Sequence, residues 1–173
     1  TTQQLMQVAY ERSRDAFGDS GLVPGAYLSE NPTMPTTLRV DLEQDGPSTT
    51  RVTARSHTVF VDRPTAKGGA DRGPLGGEYQ LVALGGCFSS HLLAAIRARE
   101  APISQLRVAV SGTMDGSPER FTSFTLSVEA ICADGELLEK LVSMAERACQ
   151  VTNTLRQSTP IEITVAARAS SSV

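Results

Sequence analysis

The sequence predicts an α+β fold built on antiparallel sheet, and three observations predict it. Strand-like runs come in adjacent pairs rather than alternating with helices. Turn signals, "DGPS" at 45–48 and "DGSPE" at 115–119, fall between the members of each pair. Two long apolar helical stretches are separated by one of those pairs. The expected order is helix, two strands, helix, two strands, helix, strand.

Residues 4–17 fit a helix with Leu5, Val8, Ala9 and Phe17 roughly on one side. "GDSGLVPGAYLSENPTMP" (18–35) is dense in Gly, Pro, Ser and Asn and reads as a loop. Residues 1–35 are therefore expected to be an extension and 36–173 the main domain. "TLRVDLEQ" and "TTRVTARSHTVFVD" alternate polar and apolar residues on either side of "DGPS", as a hairpin with one solvated face does. A turn-rich loop, "RPTAKGGADRGPLGG" (63–77), leads into a helix over 78–99. That helix directs Leu81, Leu84, Gly85, Phe88, Leu92 and Ala95 at a core. "PISQLRVAVSGTMDG" and "RFTSFTLSVEAIC" make the next hairpin, a helix spans 136–149, and "TPIEITVAAR" closes the chain as a strand.

Composition excludes several classes of function. The 173 residues are 40% hydrophobic and 20% charged, ordinary for one globular domain with a sizeable core. A net charge of −3 without a Lys/Arg run argues against nucleic acid. The apolar-leaning stretch 81–96 is interrupted by Gly, Ser and His91 and is too short to cross a bilayer, so no membrane partner is expected. The first residues show no secretory signal pattern. Three cysteines without a C-x-x-C pair suit a reducing cytoplasm. With only His57 and His91, remote from any cysteine cluster, no metal site is expected.

Each of the two long helical stretches carries one cysteine. Cys149 extends the apolar stripe Leu138, Leu141, Val142 and Ala145, and Cys87 follows Leu84 by three and precedes His91 by four. On spacing alone both can be small core residues. The alternative is a redox pair, which requires one thiol to be held as thiolate by a cationic neighbour and the other to lie within disulfide reach. Arg51, Arg55, Arg63 and Arg72 are the candidate cations. Cys132, at a strand end, reads as a packed residue, His57 as a sheet-face residue and His91 as a helix-packing one.

The segments "RGPLGGEYQLVALGGCFS" and, about 60 residues later, "AERACQVTNTLR" followed by "TPIEI" resemble the OsmC/Ohr family of osmotically inducible and organic-hydroperoxide-resistance proteins. The resemblance runs from about residue 37 to 166. It implies an OsmC-like fold: two sheets flanking central helices, in an intertwined homodimer whose sites draw on both subunits. It implies a cysteine-based peroxidase with no cofactor, in which Cys87 attacks an organic hydroperoxide and Cys149 resolves the sulfenic acid. A dithiol, carried on a lipoylated protein or a small thiol, would restore the pair. By the same resemblance Glu78 matches the helix-start glutamate and Arg63 the activating arginine. Nine residues at about 100° each set Glu78 half a turn from Cys87, so contact between them would need the partner chain. The sequence departs from the family at "PLGGE", where Asn-Pro is common, and at Gln150, where proline usually follows the cysteine. Val82, Leu84 and Phe88 are expected to favour alkyl peroxides. Two other readings stay open: a redox sensor or disulfide exchanger, and a binding module whose cysteines merely line an apolar pocket.

Overall fold

A computed structural model describes residues 36–169; the helix expected over 4–17 and the loop over 18–35 lie outside them. The described residues from Arg39 to Ala169 belong to one compact unit. Its strands are β1 (Asp41–Gln44), β2 (Thr50–Ala54), β3 (His57–Val61), β4 (Ser104–Asp115), β5 (Arg120–Ile131) and β6 (Ile161–Arg168). Its α-helices are α1 (Gly76–Ala98), α2 (Gly135–Ala148) and α3 (Gln150–Leu155).

The first sheet has the order β1-β2-β3, antiparallel throughout. The "DGPS" turn joins β1 to β2 as expected. The following run, expected as one strand, is itself a hairpin that folds back at Arg55 and Ser56, with Ala54 opposite His57. Arg55 takes a left-handed backbone (φ 56°) there. The polar run Arg55–Thr58 interrupts the alternation at this turn, but it holds no Gly, Pro, Asn or Asp to mark a reversal.

The second sheet has the order β4-β5-β6. β4 and β5 are antiparallel across the "DGSPE" turn, with Val110 opposite Leu126. β6 joins β5 in parallel, Phe124 opposite Ile161 and Ile131 opposite Arg168. A parallel neighbour requires a crossover of a dozen or more residues, and α2 and α3 supply it.

β5 lies between two strands and alternates buried Phe124, Leu126, Val128 and Ala130 with partly exposed Thr125, Ser127 and Glu129. On that apolar face sit Leu84, Phe88 and Leu92 of α1 and Leu138, Leu141, Val142 and Ala145 of α2. Fully burying each leucine contributes roughly 1.5–3 kcal/mol. Gly85 lets α1 approach the sheet closely, since a Cβ there would stand 2.7 Å from Val110 Cγ2. The 23-residue α1 is longer than the stretch read from sequence and, by length and composition, long enough to cross a bilayer. A core helix meets the same criterion, and Leu84, Phe88 and Leu92 are seated in this core.

The Gly-rich loop before α1 is organised by Asp62, which is buried. Its carboxylate accepts from Thr49 Oγ1 (2.9 Å), Arg63 N (2.7 Å) and Arg72 N (3.2 Å). Burial opposes ionisation of Asp62, but these bonds together with one from Ser48 outweigh it and hold the carboxyl well below the usual carboxylate range. Gly73 packs so tightly against β3 that a Cβ would lie 2.2 Å from the Phe60 carbonyl oxygen. Tyr79 Oη then donates to that same carbonyl at 2.8 Å, tying α1 to the first sheet.

Candidate active site

α1 begins at Gly76 because the Glu78 carboxylate reaches back to the Leu75 amide at 2.7 Å, satisfying one of the free amides of the first turn. Leu75, at the N-cap, has no side-chain acceptor to complete a reciprocal pair. From that start the helix carries Cys87 and, one turn on, His91.

The helical run expected over 136–149 ends earlier than its apolar stripe does. Asp134 Oδ1 caps α2 by accepting from Leu137 N at 2.9 Å, and α2 runs to Ala148. Cys149 is then extended (φ −75°, ψ 111°) and serves both as the last cap of α2 and as the first cap of α3. Its sulfur accepts from Thr152 N at 3.4 Å. Asn153 Nδ2 donates to the Arg147 carbonyl at 3.0 Å, and Thr154 Oγ1 to the Gln150 carbonyl at 2.8 Å. Cys149 is therefore wholly buried, as its place on the stripe predicts, but it sits at a break between helices. Beneath it the hydroxyl of Thr152, also wholly buried, has no partner among the described residues.

This junction brings the two cysteines together. Both thiols are free, and Cys87 is half-buried with the Cys149 thiol as a neighbour that acts on its ionisation. Burial, with the neighbouring Cys149 thiol adding to it, pushes the Cys87 thiol up from its ordinary range; the backbone amides of Val151 and Gln150 pull the other way without offsetting it. Cys87 Sγ donates to Gln150 Oε1 at 3.3 Å, and His91 Nε2 lies 3.2 Å from the same oxygen. Sequence reading marked Gln150 only as a departure from a family pattern. The signal was available: it follows Cys149 directly, so whatever brings Cys149 to Cys87 brings Gln150 as well.

The charged candidates stand elsewhere within this chain. Glu78 is engaged at the start of α1. Arg63 is exposed at the entrance of the Gly-rich loop. Arg51 pairs with Glu43 at 2.6 Å, Arg72 pairs with Asp45 at 2.7 Å and lies over the Phe60 ring, and Arg55 is in the β2–β3 turn. None of them bonds to Cys87 among the described residues.

Leu84 and Phe88, expected near a substrate, point into the core instead. Val82 is 58% exposed and lines a groove of about 390 Å³ with Leu81, Gly85, Gly86, Ser89, Val108 and Val110. This groove runs between α1 and β4. Cys132 is packed, its thiol donating to the Asp134 carbonyl at 2.9 Å. His57 is exposed at the start of β3. The described residues hold no group of three or more His, Cys, Asp or Glu side chains suited to a metal.

The family described as OsmC-like protein matches residues 68–164, more than half of the chain and both cysteine segments. No match is found among curated proteins. Several solved structures are similar. A hypothetical protein from Aquifex aeolicus VF5 superposes with a TM-score of 0.69 at 15% identity, over 79% of this chain and 99% of that one. An OsmC-like protein from Mycoplasma pneumoniae gives 0.68 at 17% identity, over 78% and 99%. The organic hydroperoxide resistance protein OhrB of Bacillus subtilis gives 0.56 at 19% identity, over 76% and 98%. At these identities the likeness is one of fold.

Proposed function

This chain belongs to the OsmC-like family, and from that premise we propose that it is a thiol peroxidase that reduces organic hydroperoxides through Cys87 and Cys149. The observation that carries the reading is the pairing of two free thiols from distant segments, one half-buried and one wholly buried. Structural neighbours named as organic hydroperoxide resistance proteins, from Bacillus subtilis and Elizabethkingia anophelis, support the substrate class.

In the proposed reaction the Cys87 thiolate attacks the terminal oxygen of the hydroperoxide. The O–O bond breaks, the alkoxide takes a proton and leaves as alcohol, and Cys87 becomes a sulfenic acid. Cys149 then attacks the Cys87 sulfur; the S–S bond forms and the S–O bond breaks, releasing water. A dithiol, on a lipoylated protein or a small molecule, reduces the disulfide by exchange. No cofactor is needed, because the oxidant and the dithiol carry all the electrons. The half-exposed sulfur suits first attack and the buried one suits resolution. The groove between α1, the helix that carries Cys87, and β4, apolar through Leu81, Val82, Val108 and Val110, suits an alkyl chain.

Cys87 needs a cation to ionise at neutral pH, and among the described residues no arginine or lysine bonds to it. The reading therefore includes a homodimer in which Arg63 and Glu78 of a second copy approach Cys87. It also assigns the protein to the reducing cytoplasm, where paired thiols are recycled. The test is the consumption of cumene hydroperoxide and of hydrogen peroxide by the purified protein with a dithiol reductant. Faster consumption of the organic peroxide, lost on Cys87→Ser, supports the proposal. Equal slow rates for both peroxides would overturn it in favour of a sensor or exchanger, and an alkylated Cys87 with undiminished ligand binding would favour a binding module.

A further inference from the structure

We propose that the Gln150 side-chain amide is a latch on the Cys87 thiol, a positioning residue that ties release of the thiolate to the state of His91. The inference rests on Cys87 being the reacting thiol and goes beyond that reading in naming what holds it in check. A single oxygen, Gln150 Oε1, faces both Cys87 Sγ (3.3 Å) and His91 Nε2 (3.2 Å). A carbonyl oxygen has two lone pairs and no proton, so both neighbours must donate to it. The arrangement therefore requires a protonated Cys87 and a His91 that carries its proton on Nε2.

Ionisation of Cys87 breaks this arrangement, because the amide oxygen would then face a sulfur anion. Rotating the Gln150 amide by half a turn presents its NH2 group instead. One N–H donates to the thiolate and the other to His91 Nε2, which accepts once its proton is on Nδ1. The Cys87 proton goes to solvent, and neutral His91 changes tautomer without changing charge. An imidazolium carries protons on both nitrogens and can only donate. Acid thus holds the amide oxygen inward and the thiol protonated, and loss of a proton from His91 permits the rotation. The backbone amides of Val151 and Gln150 already act on the Cys87 sulfur in the sense that favours thiolate. The Cys149 thiol opposes it, and the Gln150 side-chain oxygen, accepting from the thiol at 3.3 Å, favours the protonated form as well.

Few other groups bear on the thiol. From the helix junction the titratable neighbour is the Cys149 thiol. On α2 and just past α3, Glu146 and Arg156 are paired with each other at 2.5 Å, and Arg147 Nε bonds the Ser143 carbonyl. On β4, Arg107 sits opposite Glu129 across the strand pair.

The test is the pH profile of Cys87 alkylation by iodoacetamide, read by mass mapping of the Cys87 peptide, so that no peroxide turnover is involved. Gln150→Met keeps the length and removes the acceptor; the acid limb of its profile, where an imidazolium His91 would hold the amide oxygen inward, is expected to rise about threefold or more. Gln150→Glu places a negative charge at the same spot and is expected to lower the rate there by a similar factor. His91→Phe is expected to move the profile in the direction of Gln150→Met, and the double variant to go no further than Gln150→Met alone. Opposite shifts for Met and Glu cannot come from a general loss of structure. Gln150 variants within twofold of wild type, or His91→Phe adding its full effect to Gln150→Met, would overturn the proposal. A protein that shows these shifts but consumes no peroxide would refute the peroxidase reading alone; one that consumes peroxide without the shifts would refute the latch alone.

Discussion

The sulfur of Cys149 accepts the backbone amide of Thr152 at 3.4 Å, and at that bond the apolar helix preceding it comes to an end. Had the helix continued, residues 149–155 would have carried Cys149 onward along the stripe of Leu141 and Ala145. Instead the chain bends, a second short helix starts, and Gln150 is left against Cys87 and His91. A local capping choice thereby determines which side chain meets the Cys87 sulfur.

The charged residues drawn from the family resemblance lie away from Cys87 within one chain, which makes their role testable through assembly. Arg63→Met is expected to lower peroxide turnover by about ten- to a hundredfold while leaving thermal stability within about 0.5 kcal/mol, as for an exposed side chain. Glu78→Gln is expected to lower turnover as well. Mixing Arg63→Met with Cys87→Ser chains should restore activity in the heterodimer, since one site then has both an intact thiol and an intact arginine. Failure of the mixture to recover turnover would place the arginine in the same subunit as its thiol.

Asp62 gives a pH dependence with a definite sign. Its folded-state pKa is depressed, so its contribution to stability is present above the unfolded carboxylate value of about 4 and is lost as pH falls through the lower folded value. Asp62→Asn removes the charge that Thr49, Arg63 and Arg72 bond to. The variant is expected to melt several degrees below wild type at pH 7, with the gap narrowing as the buffer is taken below pH 4. A gap that stays constant across that range would contradict the assignment.

The core that positions Cys87 can be weakened without touching the thiols. Leu84 is wholly buried one turn before Cys87. Leu84→Ala is expected to cost about 2–5 kcal/mol in urea or thermal unfolding. Val82→Ala, at an exposed position of the same helix lining the groove, should change stability little and weaken the preference for bulky alkyl peroxides over hydrogen peroxide.

Much of the architecture was legible because it depends on local signals. The "DGPS" and "DGSPE" turns, the stripe from Leu138 to Ala145 and the Leu84, Phe88 and Leu92 positions all follow from turn chemistry and periodicity. The Arg55–Ser56 reversal was not, because the break in alternation there, polar Arg55–Thr58 followed by apolar Val59–Val61, contains no Gly, Pro, Asn or Asp to signal a turn. The parallel pairing of β6 depends on where α2 and α3 return the chain, which no window of residues around Ile161 records. The cysteines were legible as candidates because their motifs are distinctive, whereas their meeting depends on the bend at Cys149. Leu84 and Phe88 follow their helical stripe into the core, so of the three apolar residues expected to favour alkyl peroxides Val82 alone is exposed.

The most direct measurement is mass mapping after one equivalent of organic hydroperoxide, on the wild type and on Cys149→Ser. The account predicts a Cys87–Cys149 disulfide in the wild type and a sulfenic acid trapped on Cys87 in the variant, with Cys132 unmodified in both. An unmodified Cys87 in both proteins, or a wild-type disulfide that excludes Cys149, would contradict it.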